Sequence, residues 1–244
     1  MTRARQAFVG ARVANRPAAT LDRRFALQLD VFTLVPHAFA WLTEQRPVAT
    51  VLGSELELRL FSYRDTTPLR AAQVDDEPYG GGAGMVLRVD VVAAALDAAY
   101  GGVPAHRVVA LTPQGRQLSQ DVVEELAQED KLTLLSARFE GFDERVVQHL
   151  ASDAISIGPY VLSNGDLPAM VLVDAIARRL PGAIREESGA YESFSAELGG
   201  GIEYPHYTRP AEFRGWRVPD VLLSGDHGKI REWRREQSRR RSLL

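Results

Sequence analysis

Hydrophobic and polar residues follow one another along the chain in patterns that predict alternating strands and helices. Phe25–Val31 and Leu56–Phe61 have the two-residue period of β-strands, and Val35–Gln45 between them has the spacing of a helix. Asp90–Tyr100 is also helical and is followed by two glycines, which are a common stop signal for helices. The first half of the chain is therefore predicted to contain two strands, each followed by a helix.

The middle of the chain continues this alternation with three short apolar strands and three helices. Alternation of this kind is typical of an α/β layer with a largely parallel sheet, because each helix provides the crossover between parallel strands. The predicted strands are Arg107–Leu111, Lys131–Ser136 and Ile155–Ile157, and the predicted helices are Ser119–Gln128, Asp143–Leu150 and Asp166–Leu180.

The two ends of the chain differ from the α/β region at 26–184. Residues 1–25 hold six arginines and one acidic residue, which favours a disordered arm or an over-called start codon, with a nucleic-acid-contacting arm or a transit peptide as alternatives. Residues 185–205 are rich in glycine and have no clear period, as in a functional loop or a flexible linker. Residues 206–244 are polar and end in a predicted helix at about His227–Ser238.

Composition excludes several classes of site. The 244 residues include no cysteine, so disulfides, thiolate nucleophiles, zinc ribbons and iron–sulfur clusters are ruled out, and a reducing compartment fits. The net charge of −3 argues against a uniformly basic surface, and no apolar run approaches the roughly 20 residues of a membrane span. The five histidines lack metal-site spacing and no Gly-x-Ser-x-Gly motif occurs. We expect no tightly bound metal, no serine hydrolase and no membrane partner.

Three loops that follow predicted strands carry glycine, proline and small polar residues. They are Leu111–Arg116, Ala137–Gly141 and Ile157–Pro168. Ligands of open α/β sheets bind at the carboxyl ends of the strands, so these loops are candidates for a binding site. Their composition suits a neutral, flat group held by backbone hydrogen bonds, such as a nucleobase, and ordinary turns are the alternative.

Two further segments allow both a functional and a structural interpretation. The glycine-rich segment Tyr79–Met85 is either a ligand cradle or a tight turn, and it lacks the lysine and hydroxyl residue of a Walker loop. Lys229–Arg241 holds seven basic and two acidic residues around Trp233, which fits either a solvated helix end or a contact with an RNA backbone.

Charged residues offer candidates for acid–base chemistry. Glu140 precedes a glycine and is the best candidate near its strand, because Asp143 and Glu144 suit the start of a helix. Arg178 lies four residues after Asp174 on a helix, so a surface ion pair is its default interpretation. Further carboxylates lie in the segment 185–205, namely Glu186, Glu187, Glu192 and Glu197.

Taken in order, these segments resemble the bacterial tRNA (guanine-N1)-methyltransferase family of the knotted SPOUT class, from about Asp30 to Gln237. The resemblance implies a trefoil knot that holds S-adenosylmethionine and a cytoplasmic homodimer with a shared active site. It also implies methylation of N1 of the guanine immediately 3′ of the tRNA anticodon, and a Mg²⁺ requirement that no ligand cluster in the sequence reveals. The motifs are Val74–Met85, Thr112–Arg116, Glu140–Arg145, Ser156–Met170, His206–Pro210 and Val221–His227.

The resemblance also assigns roles to individual positions. Arg178 matches the arginine that stabilises guanine O6, and Glu192 stands where the family has the aspartate that serves as general base. The implied cofactor-binding residues are Leu111, Thr112, Pro113, Gln114, Gly115, Ala137, Glu140, Ile157, Gly158, Pro159, Tyr160, Val161, Leu162, Gly165 and Pro168. The implied substrate-binding residues are Asp75, Tyr79, Gly80, Gly81, Gly82, His206 and Arg209.

Two departures from the family pattern keep other functions open. Glu192 replaces an aspartate, and the tRNA-contacting region 206–244 is expected to be a truncated form of the family's helical domain. The alternatives are a related SPOUT RNA methyltransferase with another target and a non-catalytic homologue that binds RNA or S-adenosylmethionine. A generic α/β enzyme for small molecules is less favoured, because it leaves the basic C-terminal stretch unexplained.

Overall fold

The computed structural model describes residues 12–13, 25–185, 189 and 191–243. The chain divides into two compact units, the first ending at Ala183 and the second beginning at Ile184. The predicted arm at 1–25 lies outside the described residues, apart from Arg12–Val13 and Phe25. Glu186 and Glu187, two of the candidate carboxylates, also lie outside them.

The first unit is built on a parallel sheet, which confirms the predicted α/β class. The strands described in this unit are β1 (Arg12–Val13), β2 (Leu27–Thr33), β3 (Leu56–Ser62), β4 (Asp75–Asp76), β5 (Val86–Leu87), β6 (Arg107–Gln117), β7 (Lys131–Ser136) and β8 (Asp153–Ser156). Six of them form the sheet in the order β1-β3-β2-β7-β6-β8, and every neighbouring pair is parallel. Strands β4 and β5 form a separate antiparallel ribbon.

Helices cover both faces of this sheet and bury a cluster of apolar side chains on each side. The helices described in this unit are α1 (Ala40–Glu44), α2 (Val48–Val51), α3 (Val89–Tyr100), α4 (Gln120–Leu126), α5 (Glu144–His149) and α6 (Asp166–Ala177). Leucines and valines of α1, α2, α4 and α6 pack on one face, and those of α3 and α5 pack on the other. Parallel strands that are buried on both faces have nearly continuous apolar sequences, as in Leu132–Leu135.

Two of the predicted elements differ from the observed ones in an informative way. The predicted helix Val35–Gln45 is divided into a 3₁₀ turn at Pro36–Phe39 and the short α1. Strand β6 runs past its predicted end at Leu111 to Gln117. The extension contains Pro113 and Gly115, which weaken a strand pattern in sequence, so only its pairing with β8 identifies it.

The second unit contains a two-stranded hairpin and a long basic helix. Strands β9 (Glu212–Phe213) and β10 (Trp216–Arg217) pair antiparallel, and helices α7 (Asp220–Leu223) and α8 (His227–Ser242) follow. Asp226 caps α8 by accepting the backbone N–H groups of Gly228 and Lys229 at 3.0 and 3.1 Å. Within the described part of the chain, no helix combines the length and apolar character needed to cross a membrane.

The segment before this hairpin is tied to α8 by serine side chains. Ser238 is buried and donates to the carbonyl of Ile202 at 2.7 Å, and the N–H of Ile202 donates to Ser242 Oγ at 2.8 Å. The N–H of Phe194 donates to the carbonyl of Gly201 at 2.7 Å, which closes a local turn. The described part of the segment 185–205 therefore has a hydrogen-bonded conformation within the second unit.

Candidate active site

A cavity of about 560 Å³ lies at the carboxyl ends of β6, β7 and β8. Its volume is in the range of pockets that bind small molecules and cofactors. Its wall is formed by the three loops that the sequence analysis selected, at Leu111–Gln114, Ala137–Phe142 and Ser156–Gly165. The structure thus brings the three loops together at one edge of the sheet, as the rule for ligand sites in parallel sheets requires.

Thirteen of the fifteen predicted cofactor-binding residues line this cavity, and Gly115 and Pro159 do not. The wall also contains residues that are not among the fifteen predicted cofactor-binding residues, among them Arg138, Phe142 and Asn164. Arg138 and Asn164 lie inside the predicted loops and Phe142 directly follows one of them, so the extent of the loops was the signal that could have found these residues. Apolar side chains and backbone groups predominate in the wall, and Glu140 and Glu144 add carboxylates.

Backbone hydrogen bonds tie the three loops to one another. The N–H of Gly165 donates to the carbonyl of Ala137 at 2.7 Å, and the N–H of Leu118 donates to the carbonyl of Ser156 at 2.7 Å. A Cβ at Gly165 would lie 3.0 Å from Ser136 Cα and its Oγ, so a larger residue there presses on β7. The cavity wall is therefore formed by loops that depend on one another for their positions.

Gly115 explains how the first loop returns to the sheet. Leu111 and Arg116 both pair with Ile155, so residues 112–115 leave β8 and rejoin it at the same position. A Cβ at Gly115 would lie 2.4 Å from the backbone nitrogen of Ile155 and 2.5 Å from the carbonyl carbon of Ala154. Backbone atoms in a parallel sheet have little freedom to move, so the return is open to glycine alone. Gly115 thus shapes the cavity without lining it.

Replacing Gly115 by alanine is expected to lower the free energy of unfolding by about 1–3 kcal/mol, the usual cost of overpacking. The matched control is Gly158→Ala, since the three atoms nearest to its new methyl group all belong to the ring of Tyr160, a residue that is 52% exposed and can move aside. Urea unfolding of both variants measures the difference. Equal urea midpoints for Gly115→Ala and the wild-type protein would contradict the claim that the backbone of β8 leaves no room for a side chain at position 115.

A buried polar cluster supports the third loop where α6 begins. Asp166 is 3% exposed, and its Oδ1 accepts hydrogen bonds from Thr33 at 2.6 Å and from Ser136 at 2.7 Å. Its carboxylate lies in the first turn of α6, where the helix dipole favours a negative charge. Burial, with the charge of Asp166 as a second cause, raises the pKa of Tyr63 well above its ordinary value, so this tyrosine stays protonated. The cluster fixes the start of α6 against the ends of β2 and β7.

The glycine-rich segment Tyr79–Met85 contacts the cavity loop Ala137–Phe142 through its last residues. The N–H of Glu140 donates to the carbonyl of Met85 at 2.9 Å, and the N–H of Leu87 donates to the carbonyl of Gly141 at 3.0 Å. A Cβ at Gly84 would lie 2.3 Å from Glu140 Oε1, so the carboxylate approaches the segment's backbone closely. Tyr79 is fully exposed at the other end of the segment. The segment therefore borders the second cavity loop.

The other predicted substrate-binding residues lie in several different elements of the structure. Asp75 lies in β4, and Gly80, Gly81 and Gly82 have φ angles of 89°, 80° and 140°, which suit glycine. His206 belongs to the second unit, where its Nε2 lies 2.8 Å from Glu203 Oε1. Arg209 is exposed in the same unit.

The two predicted catalytic residues belong to different units. Arg178 follows α6 in the first unit, and its N–H donates to the carbonyl of Asp174 at 3.1 Å. Burial raises the pKa of Asp174, and the charge of Arg178 opposes that rise without cancelling it. Glu192 lies in the second unit with a half-buried side chain, and its carbonyl accepts the N–H of Ser195 at 3.1 Å.

Metal-binding side chains are not clustered in the parts of the chain that the structure describes. No group of three or more histidine, cysteine, aspartate or glutamate residues there is arranged to hold a metal ion. One carboxylate near the cavity, that of Asp143, has a partner of its own. Asp143 caps α5 and is paired with Arg145, whose hydrogen bonds lower the pKa of Asp143 below its ordinary value.

The structure is that of an α/β protein with a cavity of small-molecule size at one edge of a parallel sheet. The family model described as tRNA (Guanine-1)-methyltransferase TrmD matches residues 27–244. Curated proteins named tRNA (guanine-N(1)-)-methyltransferase are similar over most of their length. The Brevibacillus brevis protein is 44% identical over 218 residues, 88% of each chain, and the Geotalea uraniireducens protein is 46% identical over 214 residues, 87% of this chain and 85% of its own. The chain belongs to the tRNA (guanine-1)-methyltransferase family.

Proposed function

We propose that this protein transfers a methyl group from S-adenosylmethionine to N1 of the guanine immediately 3′ of a tRNA anticodon. The observation that carries the proposal is the cavity at the ends of β6, β7 and β8, because thirteen residues selected as cofactor-binding line it in a member of this family. We further propose that the reaction takes place in the cytoplasm, in a knotted fold of the SPOUT class.

The residues of the cavity fit S-adenosylmethionine in size and in chemistry. Leu111, Ile157 and Leu162 provide apolar surface for a flat adenine, and the surrounding loops provide backbone groups for its polar edge. The carboxylate of Glu140 suits a ligand with positively charged groups. When bound, the cofactor supplies a methyl group on a positively charged sulfur. Mg²⁺ finds no support in the arrangement of the described carboxylates.

The chemistry of guanine N1 defines what the protein must contribute. N1 carries a proton at neutral pH, so it is a poor nucleophile until a base removes that proton. Glu192 is proposed as this base. The N1 proton passes to its carboxylate as the N1–methyl bond forms and the bond between the methyl group and the sulfur breaks, so the sulfur keeps that electron pair and becomes neutral. Negative charge develops toward O6 of the guanine, and Arg178 is proposed to stabilise it. Correct positioning of the reacting atoms supplies the rest of the acceleration.

Arginines of the second unit suit contacts with the tRNA backbone. Helix α8 carries six of them, and the guanidinium of Arg234 lies 4.7 Å from the ring centre of Tyr204. A planar guanidinium can bind phosphate through two parallel hydrogen bonds. The arginines of α8 are Arg231, Arg234, Arg235, Arg239, Arg240 and Arg241. This basic helix supports tRNA as the substrate.

We also propose that two copies of the chain form a homodimer with a shared active site. Support comes from an apolar surface beside the cavity, where Val161 is 85% exposed and Tyr160, Leu167 and Val171 are about half exposed. Leu167 and Val171 lie one turn apart on α6, on the side away from its buried Leu172. Several large exposed apolar residues within one short stretch of chain, at 160–171, favour a protein–protein contact.

The test is methyl transfer with purified components. The protein is incubated with radiolabelled S-adenosylmethionine and an unmodified tRNA transcript, and label in the RNA is counted. Transfer that requires guanine next to the anticodon supports the proposal, and transfer that persists after its replacement by adenine supports a related methyltransferase with another target. Cofactor binding by calorimetry without any transfer would support the non-catalytic alternative, which Glu192 in place of aspartate keeps open.

A further inference from the structure

The hairpin β9–β10 presents two aromatic rings on one face. Phe213 and Trp216 are directly paired across the strands, so their side chains project to the same side. Their ring centres are 5.9 Å apart at an interplanar angle of 60°. Arg214 and Gly215 form the turn with φ angles of 54° and 83°, and the N–H of Val218 donates to the carbonyl of Ala211 at 2.9 Å. The backbone therefore holds the two rings as a unit.

These rings are exposed, and an arginine lies against one of them. Phe213 is 52% exposed and Trp216 is 70% exposed, and every residue from Ala211 to Arg217 is exposed. The guanidinium of Arg214 lies 5.1 Å from the ring centre of Phe213. Packing within the second unit thus leaves most of the tryptophan surface uncovered. Aromatic side chains accompanied by arginine are the usual surface on which proteins stack the bases of single-stranded nucleic acid.

We infer that Phe213 and Trp216 form a stacking surface for an unpaired base of the RNA substrate, an inference that rests on the proposed function. Charge complementarity favours RNA as the occupant, because residues 206–244 hold ten arginines and lysines and five acidic residues. An aromatic face can stack only on a base that is free of its own stack, so the ligand is a nucleotide in a loop or a bulge. The hairpin adds a contact with a base to the phosphate contacts proposed for α8.

The experiment measures binding of an unmodified tRNA transcript to the full-length protein at several salt concentrations. Trp216→Ala is expected to raise the Kd roughly 5- to 150-fold, the range for loss of one base–aromatic stack. Trp216→Phe keeps a ring and is expected to bind like the wild-type protein, whereas Trp216→Leu keeps apolar surface without a ring and is expected to bind like the alanine variant. The slope of log Kd against log salt should not change in Trp216→Ala, because stacking releases no counterions.

Trp41→Ala is the matched control, since Trp41 is 64% exposed in the first unit and belongs to no proposed site. Its tRNA affinity should equal that of the wild-type protein. Circular dichroism and sedimentation velocity verify that the variants are folded and have the same oligomeric state. A change in sedimentation for Trp216→Ala would overturn the inference, because the rings would then form a contact between copies.

The remaining outcomes separate this inference from the proposed function. Wild-type affinity in Trp216→Ala, or equal affinities for Trp216→Leu and Trp216→Phe, would overturn the stacking role alone. Binding that is weakened as expected in a protein that transfers no methyl group would support the stacking role and overturn the proposed reaction. A wild-type protein with no measurable affinity for tRNA would overturn both.

Discussion

Replacing Glu192 by glutamine is expected to reduce the rate of methyl transfer about 10²- to 10⁴-fold, the usual contribution of a positioned general base. Glutamine has nearly the same size as glutamate but accepts no proton at neutral pH, so the N1 proton has no acceptor when the N1–methyl bond forms. The measurement is a single-turnover assay at saturating cofactor and tRNA. The Kd values for both ligands should stay within a few-fold of those of the wild-type protein.

Glu197 provides the matched control for this variant. Like Glu192, it lies in the segment 185–205. It is an exposed glutamate in the 3₁₀ turn Ala196–Leu198, and the mechanism gives it no role. Glu197→Gln should therefore transfer the methyl group at the wild-type rate. If Glu192→Gln also reacts within threefold of that rate, the base is another group, and Glu140 in the cavity wall is then the next candidate.

Arg178→Ala is expected to reduce kcat about 10²- to 10³-fold, the range for removal of one group that stabilises developing negative charge. The KM for the cofactor should change little, because this interaction is proposed to strengthen only as charge develops on O6. Arg178→Lys keeps the charge but loses the planar geometry, so it should fall between alanine and the wild-type protein. Steady-state kinetics with each substrate varied in turn measure these quantities.

Arg179 separates catalysis from a general effect of charge at the end of α6. Its Nε lies 2.7 Å from Glu124 Oε1, which ties it to α4. Arg179→Ala is therefore expected to change stability slightly and to leave kcat within a few-fold of the wild-type value. Equal losses of kcat in Arg178→Ala and Arg179→Ala would contradict a specific role for Arg178.

Much of the first unit could be predicted from local sequence, for identifiable physical reasons. Apolar runs such as Lys131–Ser136 are long enough to show buried strands, and Ser119 and Asp143 mark the starts of helices that they do cap. Because a parallel sheet collects the carboxyl ends of its strands at one edge, the position of the cavity followed from the order of strands and loops.

Features that depend on distant partners could not be predicted in this way. Asp30 in β2 is completely buried, and its carboxylate is contacted at 2.5 to 2.7 Å by Arg59 and Tyr100, which lie 29 and 70 residues later in the chain. The return of β6 through Gly115 depends on the backbone of β8, some forty residues later in the chain. The hairpin β9–β10 was missed because strands of two residues show no period.

Family resemblance supplied the parts of the candidate site that periodicity leaves open. Periodicity alone does not predict a trefoil knot, because knots are rare among protein folds. The knot stays a prediction that rests on the resemblance. The same holds for the roles of Glu192 and Arg178, since a glutamate in an irregular segment and an arginine at a helix end are common in proteins without such roles. Their chemistry is specific only in relation to guanine N1 and O6.

Identification of the methylated nucleoside tests the central claim most directly. Two unmodified tRNA transcripts, with guanine or adenine immediately 3′ of the anticodon, are incubated with the protein and S-adenosylmethionine, digested to nucleosides and analysed by mass spectrometry against a 1-methylguanosine standard. The account predicts 1-methylguanosine from the guanine transcript and no methylated nucleoside from the adenine transcript. Methylation at another atom or another position, or no product from a protein that binds both ligands, would contradict it.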